Sequence, residues 1–233
     1  MKWDALCDAL FGPEHGIREQ DDLLRGTVTF DGQPIDVLGT TNHAAIGYAM
    51  ALRQARAILD TISAHPGRTI LLLIDTQGQQ LRRRDEMLGI HRAMAHLGCA
   101  IDLARRRGHR VLGLVYDQAL SGGFITSGLL ADACHALPEA EIRVMRLPAM
   151  ARVTKLPQEM LEKLSVANPV FAPGVDNYLA MGGVASLWRG DLSAQLRRSL
   201  AELPTEDRRM LDGAERGGRR LAAATVQRVL DAA

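Results

Sequence analysis

The first third of the chain contains two short runs of β-branched and apolar residues. These runs cover residues 27–30 and 34–38, and Asp31-Gly32 lies between them. Asp-Gly between two such runs is a strong signal for a tight two-residue turn. The pattern therefore predicts a β-hairpin.

Helical and continuously apolar patterns alternate after this hairpin. Residues 43–65 place apolar side chains near every third or fourth position, which predicts a helix. Residues 69–76 and 110–117 are short apolar runs typical of parallel strands that are buried on both faces. Residues 86–108, between these runs, have helical spacing. The sequence thus predicts a β-α-β unit whose two strands end at the same edge of one sheet.

Shorter elements are predicted in the second half of the chain. Residues 124–133 continue as a helix, and residues 134–147 contain two short strands. Residues 156–166 have helical spacing with Pro157 near the first position, where proline is tolerated. We expect loops and helices to alternate from there to the end of the chain.

Composition narrows the class of protein. With 233 residues, 47% of them hydrophobic, the chain can bury a substantial core, and no repeat or linker divides it. We therefore expect one α/β domain over residues 1–233, with residues 207–233 as a helical tail. Twenty-eight basic and 27 acidic residues give a net charge of +1, and only 4% of the residues are aromatic. This balance argues against nucleic-acid binding.

Targeting and metal signals are weak in this sequence. No apolar segment approaches the roughly 20 residues that cross a bilayer, so we expect a soluble, cytoplasmic protein. The three cysteines, Cys7, Cys99 and Cys134, form no C-x-x-C pair, and the seven histidines have no metal-binding spacing. We expect no metal site.

Two segments at the predicted strand ends are candidates for chemistry. They are "DTQGQQ", residues 75–80, and "ALSGGF", residues 119–124, and we expect them to form loops that build one pocket. Glycines let a backbone approach a ligand closely, and the following helix would add unpaired N–H groups that suit a developing oxyanion. A Gly-Gly turn is also common as simple close packing. Ser121 lacks the setting of a nucleophile and is expected to cap the helix.

Other polar residues leave two interpretations open. Asp75 could act as a general base or could fix the loop that follows it. Glu86 could be catalytic or could stabilise the first turn of a helix, and His43 could line the pocket or cap a helix. The basic runs at residues 82–84 and 105–110 could bind phosphate or an acidic protein, or could be solvated helix faces.

The stretch "LLLIDTQGQQLRRRDEMLGIHRAMAHLGCAIDLARRRGHRVLGLVYDQALSGGF" resembles the carboxyl-terminal half of biotin-dependent acyl-CoA carboxyltransferases. Their crotonase fold carries an Asp-Thr-Pro-Gly strand end, a Glu-x-x-Gly helix and a later Gly-Gly turn. Here the matching features are residues 75–78, with Gln77 in the proline position, Glu86 with Gly89, and Gly122-Gly123.

A wider set of motifs makes the chain similar to the gamma subunits of biotin-independent malonate decarboxylases. The set includes "EHGI", "DGQPIDVLGTTNHAAIG", "QALSGGF" and "PAMARVTKLP", and the resemblance spans roughly residues 14–200. It implies a crotonase/ClpP-like spiral of β-β-α units. It also implies a beta-subunit partner and an acyl-carrier subunit that bears a phosphoribosyl-dephospho-CoA-type prosthetic group, with no cofactor on this chain.

The resemblance further implies decarboxylation of a malonyl thioester to an acetyl thioester and carbon dioxide. This reaction passes through an enolate, whose charge backbone N–H groups can stabilise without metal or nucleophile. The expected catalytic residues are Gly122, Gly123 and Phe124, and the expected substrate-binding residues are Gly78, Gln79 and Ser121. A biotin-dependent carboxyltransferase half and a non-catalytic scaffold for the beta subunit remain as alternatives.

Overall fold

One mixed β-sheet organises the molecule. The structure is a computed structural model and describes residues 1–167, 174–204, 206–218 and 221–232. The strands are β1 (Arg18–Gln20), β2 (Leu23–Phe30), β3 (Gln33–Thr40), β4 (Ala44–Ile46), β5 (Thr69–Gln79), β6 (Val111–Leu120), β7 (Ala133–Ala136) and β8 (Glu141–Arg143). The helices are α1 (Trp3–Phe11), α2 (Tyr48–Ala64), α3 (Arg83–Leu88), α4 (Ile90–Arg106), α5 (Ser121–Ile125), α6 (Leu147–Thr154), α7 (Gln158–Ala167), α8 (Asp176–Ala180), α9 (Leu192–Ala201), α10 (Arg209–Glu215) and α11 (Ala222–Asp231).

The sheet changes from antiparallel to parallel along its width. Its main order is β1-β2-β3-β5-β6-β7, with antiparallel pairs up to β3 and parallel pairs beyond it. β4 pairs with the end of β5, and β8 pairs with the end of β6. These two short strands therefore extend the sheet at the carboxyl ends of its central strands.

The predicted hairpin and β-α-β unit are both confirmed. Asp31 and Gly32 join β2 to β3 with φ values of 48° and 76°, the left-handed backbone that a tight hairpin turn requires. β5 and β6 are parallel neighbours connected through α3 and α4.

Alternate side chains of β5 enter two different cores. Ile70, Leu72 and Ile74 pack on one face with residues of α2 and α4, whereas Leu71 and Leu73 pack on the other with residues of α1 and α9. A strand that is buried on both faces needs apolar residues at consecutive positions, which explains the unbroken apolar run.

Two of the predicted helices differ in the structure. Residues 44–46, expected as helix, form β4 because the end of β5 offers them a ladder partner. The helix expected over residues 86–108 is two helices separated by Gly89, whose φ of 82° ends one and starts the next.

The helix expected over residues 124–133 is also wrong, because α5 ends at Ile125 and a short 3-10 turn covers residues 128–130. The hydroxyl groups of Thr126 and Ser127 donate to the carbonyl oxygens of Gly122 and Gly123. Bonds of this kind compete with continued helix formation.

The two short strands and the helix near Pro157 are confirmed as β7, β8 and α7. In the predicted tail, α10 and α11 are helical, and residues 219–220 and 233 lie outside the described residues. Within the described ranges, every helix is too short or too polar to cross a membrane.

Candidate functional site

The two candidate segments meet at the carboxyl edge of the sheet. A Cβ atom added to Gly78 would lie 3.0 Å from the carbonyl oxygen of Leu120 and 3.0 Å from Cβ of Ser121. Gly78 therefore allows the end of β5 to touch the junction of β6 and α5. The segments were expected to be loops, but residues 75–79 and 119–120 are strand residues because β4 and β8 pair with them.

Ser121 rather than either glycine has the unusual backbone of this junction. Its φ is 49°, in the left-handed region, whereas Gly122 and Gly123 are helical residues of α5. The expected helix-capping role of Ser121 is wrong, because Leu120 occupies the N-cap position and the Ser121 hydroxyl donates to the carbonyl oxygen of Val144. Strained residues of this type cluster at functional sites.

Gly123 has no room for a side chain. A Cβ atom there would lie 2.9 Å from Oγ1 of Thr76 and 3.0 Å from Cα of Gly78. The Thr76 hydroxyl donates to the carbonyl oxygen of Ala44 at 2.6 Å and accepts from the Gly78 N–H at 3.0 Å, so it holds the surrounding backbone in place. The packing interpretation of the Gly-Gly pair therefore has direct geometric support at Gly123.

Gly122 faces side chains instead of backbone. Its N–H donates to Oε1 of Gln79 at 3.1 Å. A Cβ atom at Gly122 would lie 3.1 Å from that oxygen and 3.2 Å from Cε of Met94. The Gly122 N–H, at the start of α5, therefore points toward the end of β5, where the side-chain amide oxygen of Gln79 accepts it.

Helix geometry determines which N–H groups of α5 are available. Because α5 starts at Ser121, the N–H groups of its first three residues have no acceptor within the helix. The Phe124 N–H is the fourth, and the Leu120 carbonyl is its acceptor by helix geometry. The Phe124 ring is buried in the core, 5.9 Å from the Tyr178 ring.

Asp75 stabilises the backbone beside these donors. Its buried carboxylate accepts the His43 N–H at 2.8 Å and the Gln118 N–H at 3.3 Å. Burial raises the pKa of Asp75 above its ordinary value, and these two N–H groups oppose the shift. The loop-fixing interpretation of Asp75 thus has direct geometric support.

The structure also brings together three groups that sequence spacing did not connect. His43 Nε2 lies 3.5 Å from Asp117 Oδ1 and 3.8 Å from Asp75 Oδ1. Their ligand-type atoms lie within 4.8 Å of one another, so this is a group in the described residues that could hold a metal ion. The three residues come from separate segments, which is why no local motif revealed them.

The remaining charged candidates differ in their exposure and in their ion-pair partners. Glu86 and residues 82–84 are exposed on and beside α3, a helix that buries none of its residues. Arg105 instead pairs with Asp132 at 2.6 Å, and Arg106 pairs with its neighbour on α4. The second basic run is therefore at least partly structural.

Large apolar side chains are exposed on segments that adjoin the junction. One follows β5, two lie on α3, one lies on α5 and one follows β8; they are Leu81 (79% exposed), Met87 (76%), Leu88 (49%), Ile125 (54%) and Val144 (46%). Exposed apolar groups of this kind are typical of protein interaction surfaces.

Comparison with known proteins gives one family. The sequence profile of the malonate decarboxylase gamma subunit, MdcE, matches residues 41–233. The malonyl-S-ACP:biotin-protein carboxyltransferase MADD of Malonomonas rubra is 36% identical over 151 residues, which are 61% of this chain. The matched region spans about half (52%) of that relative.

Solved structures agree with this result. A Pseudomonas malonate decarboxylase hetero-tetramer in complex with coenzyme A is 28% identical, with a TM-score of 0.81 and 97% of each chain covered. The Pseudomonas MdcD-MdcE hetero-dimer is 28% identical, with a TM-score of 0.77 over 98% of this chain and 97% of that one. Transcarboxylase 12S has a TM-score of 0.67 at 20% identity, over 79% of this chain and 37% of that one, and shows the fold alone. The carboxyltransferase-like, crotonase-type α/β fold expected from the sequence is confirmed.

Proposed function

The chain belongs to the malonate decarboxylase gamma subunit family, and from this premise we propose that it forms half of a two-subunit carboxy-lyase active site. The reaction converts a malonyl thioester to an acetyl thioester and carbon dioxide. The observation that carries the proposal is the junction of β5, β6 and α5. Here the first N–H groups of α5 have no acceptor within the helix, and that of Gly122 points to a side-chain oxygen at the end of β5.

The chemistry requires a place for one developing negative charge. When the bond between C2 and the carboxylate carbon breaks, its electron pair forms an enolate and carbon dioxide leaves. The enolate charge lies largely on the thioester oxygen, until a proton adds to C2. Donors that are fixed before the reaction bind this oxygen more strongly in the transition state than in the substrate. We assign the donors to Gly122 and Gly123, with Phe124 completing the turn.

Supporting residues position this donor group. Gly78 permits the close approach of the two strand ends. Ser121 bonds the start of α5 to the segment after β8. Gln79 lies beside the position that we propose for the thioester oxygen. All three are proposed to shape the pocket that binds the thioester.

The partners follow from the relatives. The Pseudomonas hetero-dimer pairs MdcD with MdcE, and the Malonomonas relative acts on malonyl-S-ACP by its name. We propose that this chain pairs with a beta subunit and receives malonate on an acyl-carrier subunit, whose prosthetic arm is of the phosphoribosyl-dephospho-CoA type. The exposed apolar residues beside the junction support such a partner. The cytoplasmic location stays a prediction.

A second function is favoured by the Malonomonas relative, whose name gives biotin-protein as the carboxyl acceptor. The experiment that separates the two functions is product analysis with the purified complex of this chain and its beta subunit. Malonyl-carrier is supplied with and without a biotinylated carrier protein. We expect acetyl-carrier and carbon dioxide to form at the same rate in both reactions. Turnover that requires the biotinylated protein would assign carboxyl transfer instead.

A further inference from the structure

The Gln79 side chain covers one of the proposed oxyanion donors. Its Oε1 accepts the Gly122 N–H at 3.1 Å, and its carboxamide carbon lies 3.6 Å from the position a Gly122 Cβ would take. An amide oxygen and a thioester oxygen are both carbonyl acceptors with similar lone-pair geometry. The chain therefore supplies its own carbonyl at the position that the reacting oxygen must reach.

The backbone of Gln79 is fixed while its side chain is exposed. β4 pairs with the strand at this residue, through Ile46, and the Thr76 hydroxyl holds the preceding N–H of Gly78. The side chain itself is exposed and has rotatable torsions up to the carboxamide. It can leave Gly122 by rotation alone, without moving a strand.

We propose that Gln79 is a displaceable cap on the Gly122 N–H, and that an acyl thioester binds by exchanging its carbonyl oxygen for the Gln79 oxygen. This inference rests on the proposed function, because it assigns the displaced position to the thioester oxygen. Gln79 then does not take part in the reaction, but it competes with the substrate oxygen for the Gly122 donor.

The cap favours oxygens that acquire negative charge. Hydrogen bonds to ionised acceptors are roughly twice as strong as those between neutral groups. A neutral carbonyl must compete with Gln79 on nearly equal terms, whereas an enolate oxygen displaces it readily. Displacing Gln79 costs the same for either oxygen, so the exchange gives little net binding in the neutral substrate and a net gain only when the oxygen becomes charged.

Two substitutions of similar size separate this role from ordinary substrate contact. Gln79→Met keeps the length of the side chain and removes the acceptor, so the donor is open and KM for malonyl-carrier should fall about two- to tenfold, as the loss of one competing hydrogen bond implies. Gln79→Glu places a charged acceptor on Gly122, so KM should rise. Both measurements use the complex with the beta subunit.

Gln77 supplies the matched control, because it is an exposed glutamine two residues earlier on the same strand. Gln77→Met and Gln77→Glu should leave KM within about twofold of the wild-type value, which is less than one net hydrogen bond can contribute. Opposite shifts for the two Gln79 variants, without matching shifts at Gln77, would support the cap. A KM that rises for Gln79→Met would overturn it, because Gln79 would then hold the substrate rather than compete with it.

A second measurement detects the cap without any substrate. In the full chain labelled with 15N-glycine, the Gly122 amide resonance is assigned by its loss in Gly122→Ala. We expect Gln79→Met to shift this resonance and to accelerate its hydrogen exchange. An unchanged resonance would refute the cap even if turnover is normal. Conversely, a wild-type complex that turns over no malonyl thioester would refute the proposed function, while the resonance still decides whether the cap exists.

Discussion

Alanine at each of the two neighbouring glycines should have opposite consequences. In Gly122→Ala the new Cβ meets Oε1 of Gln79 at 3.1 Å and Cε of Met94 at 3.2 Å, and both are ends of flexible side chains that can move. In Gly123→Ala the new Cβ lies 3.0 Å from Cα of Gly78, which is backbone of β5. The first variant should fold and the second should be strained.

The magnitudes can be worked out for both variants. In a helix, alanine is favoured over glycine by about 0.5–1 kcal/mol. The exposed bond to Gln79 contributes about 0.5–1.5 kcal/mol. The two nearly cancel, so Gly122→Ala should change the free energy of unfolding by less than about 1 kcal/mol. Gly123→Ala should lose about 1–3 kcal/mol through overpacking.

The Gly122→Ala variant should lose turnover without losing stability. Its methyl group would lie 3.1 Å from Oε1 of Gln79 and so would crowd the position of the oxygen acceptor. Loss of one fixed oxyanion donor costs about 2.7–4 kcal/mol of transition-state stabilisation. We expect kcat of the complex to fall about 10²–10³-fold while the denaturation midpoint stays close to the wild-type value.

The assay combines thermal denaturation of the complex with steady-state decarboxylation of malonyl-carrier. Gly98→Ala is the control, because its new Cβ would meet only the terminal methyl group of Leu130 at 3.0 Å, in α4 and away from the donors. A stable Gly122→Ala complex with kcat within about threefold of wild type would refute the reasoning, since loss of a preorganised donor typically costs about 10²–10³-fold in kcat.

Three further predictions concern stability and assembly. Burial raises the pKa of Asp75, so the stabilising neutral form is lost as pH rises from the ordinary value of 3.8 through the raised pKa. Over this range the unfolding free energy of wild type should fall relative to that of Asp75→Asn in urea titrations. A difference that does not change with pH would contradict this prediction. Ser121→Gly should be more stable to urea than Ser121→Ala by about 1 kcal/mol, because only glycine relieves the left-handed backbone; equal midpoints would argue against strain. The double variant Leu81→Ser, Met87→Ser should bind the beta subunit at least about tenfold more weakly in calorimetry, as burial of two large apolar side chains implies. The control variant Leu221→Ser, on the tail, should bind as wild type does. Equal affinity of the double variant and wild type would exclude this surface.

Local signals in the sequence predicted the elements on which the site is built. Asp31-Gly32 specifies its hairpin within a few residues, and the apolar runs of β5 and β6 reflect burial on both faces. The proximity of the two strand ends follows from the β-α-β connection alone. These features depend on neighbours in sequence, so one sequence reveals them.

Contacts between distant segments could not be predicted in this way. The extension of β5 through Gln79 depends on pairing with β4, and the left-handed Ser121 depends on its bond to the segment after β8. The hydrogen bond from the His43 N–H to the Asp75 carboxylate joins two segments that share no motif. Each of these contacts decides the backbone geometry of the donors, which is the part that sequence patterns do not encode locally.

The central claim is that this chain and a beta subunit together stabilise the enolate of a malonyl thioester. The most direct test is single-turnover release of labelled carbon dioxide from carboxyl-labelled malonyl-carrier, with each subunit alone and with both. We predict release only when both subunits are present, and loss of that release in the Gly122→Ala complex. Release by the beta subunit alone at the full rate would contradict the claim.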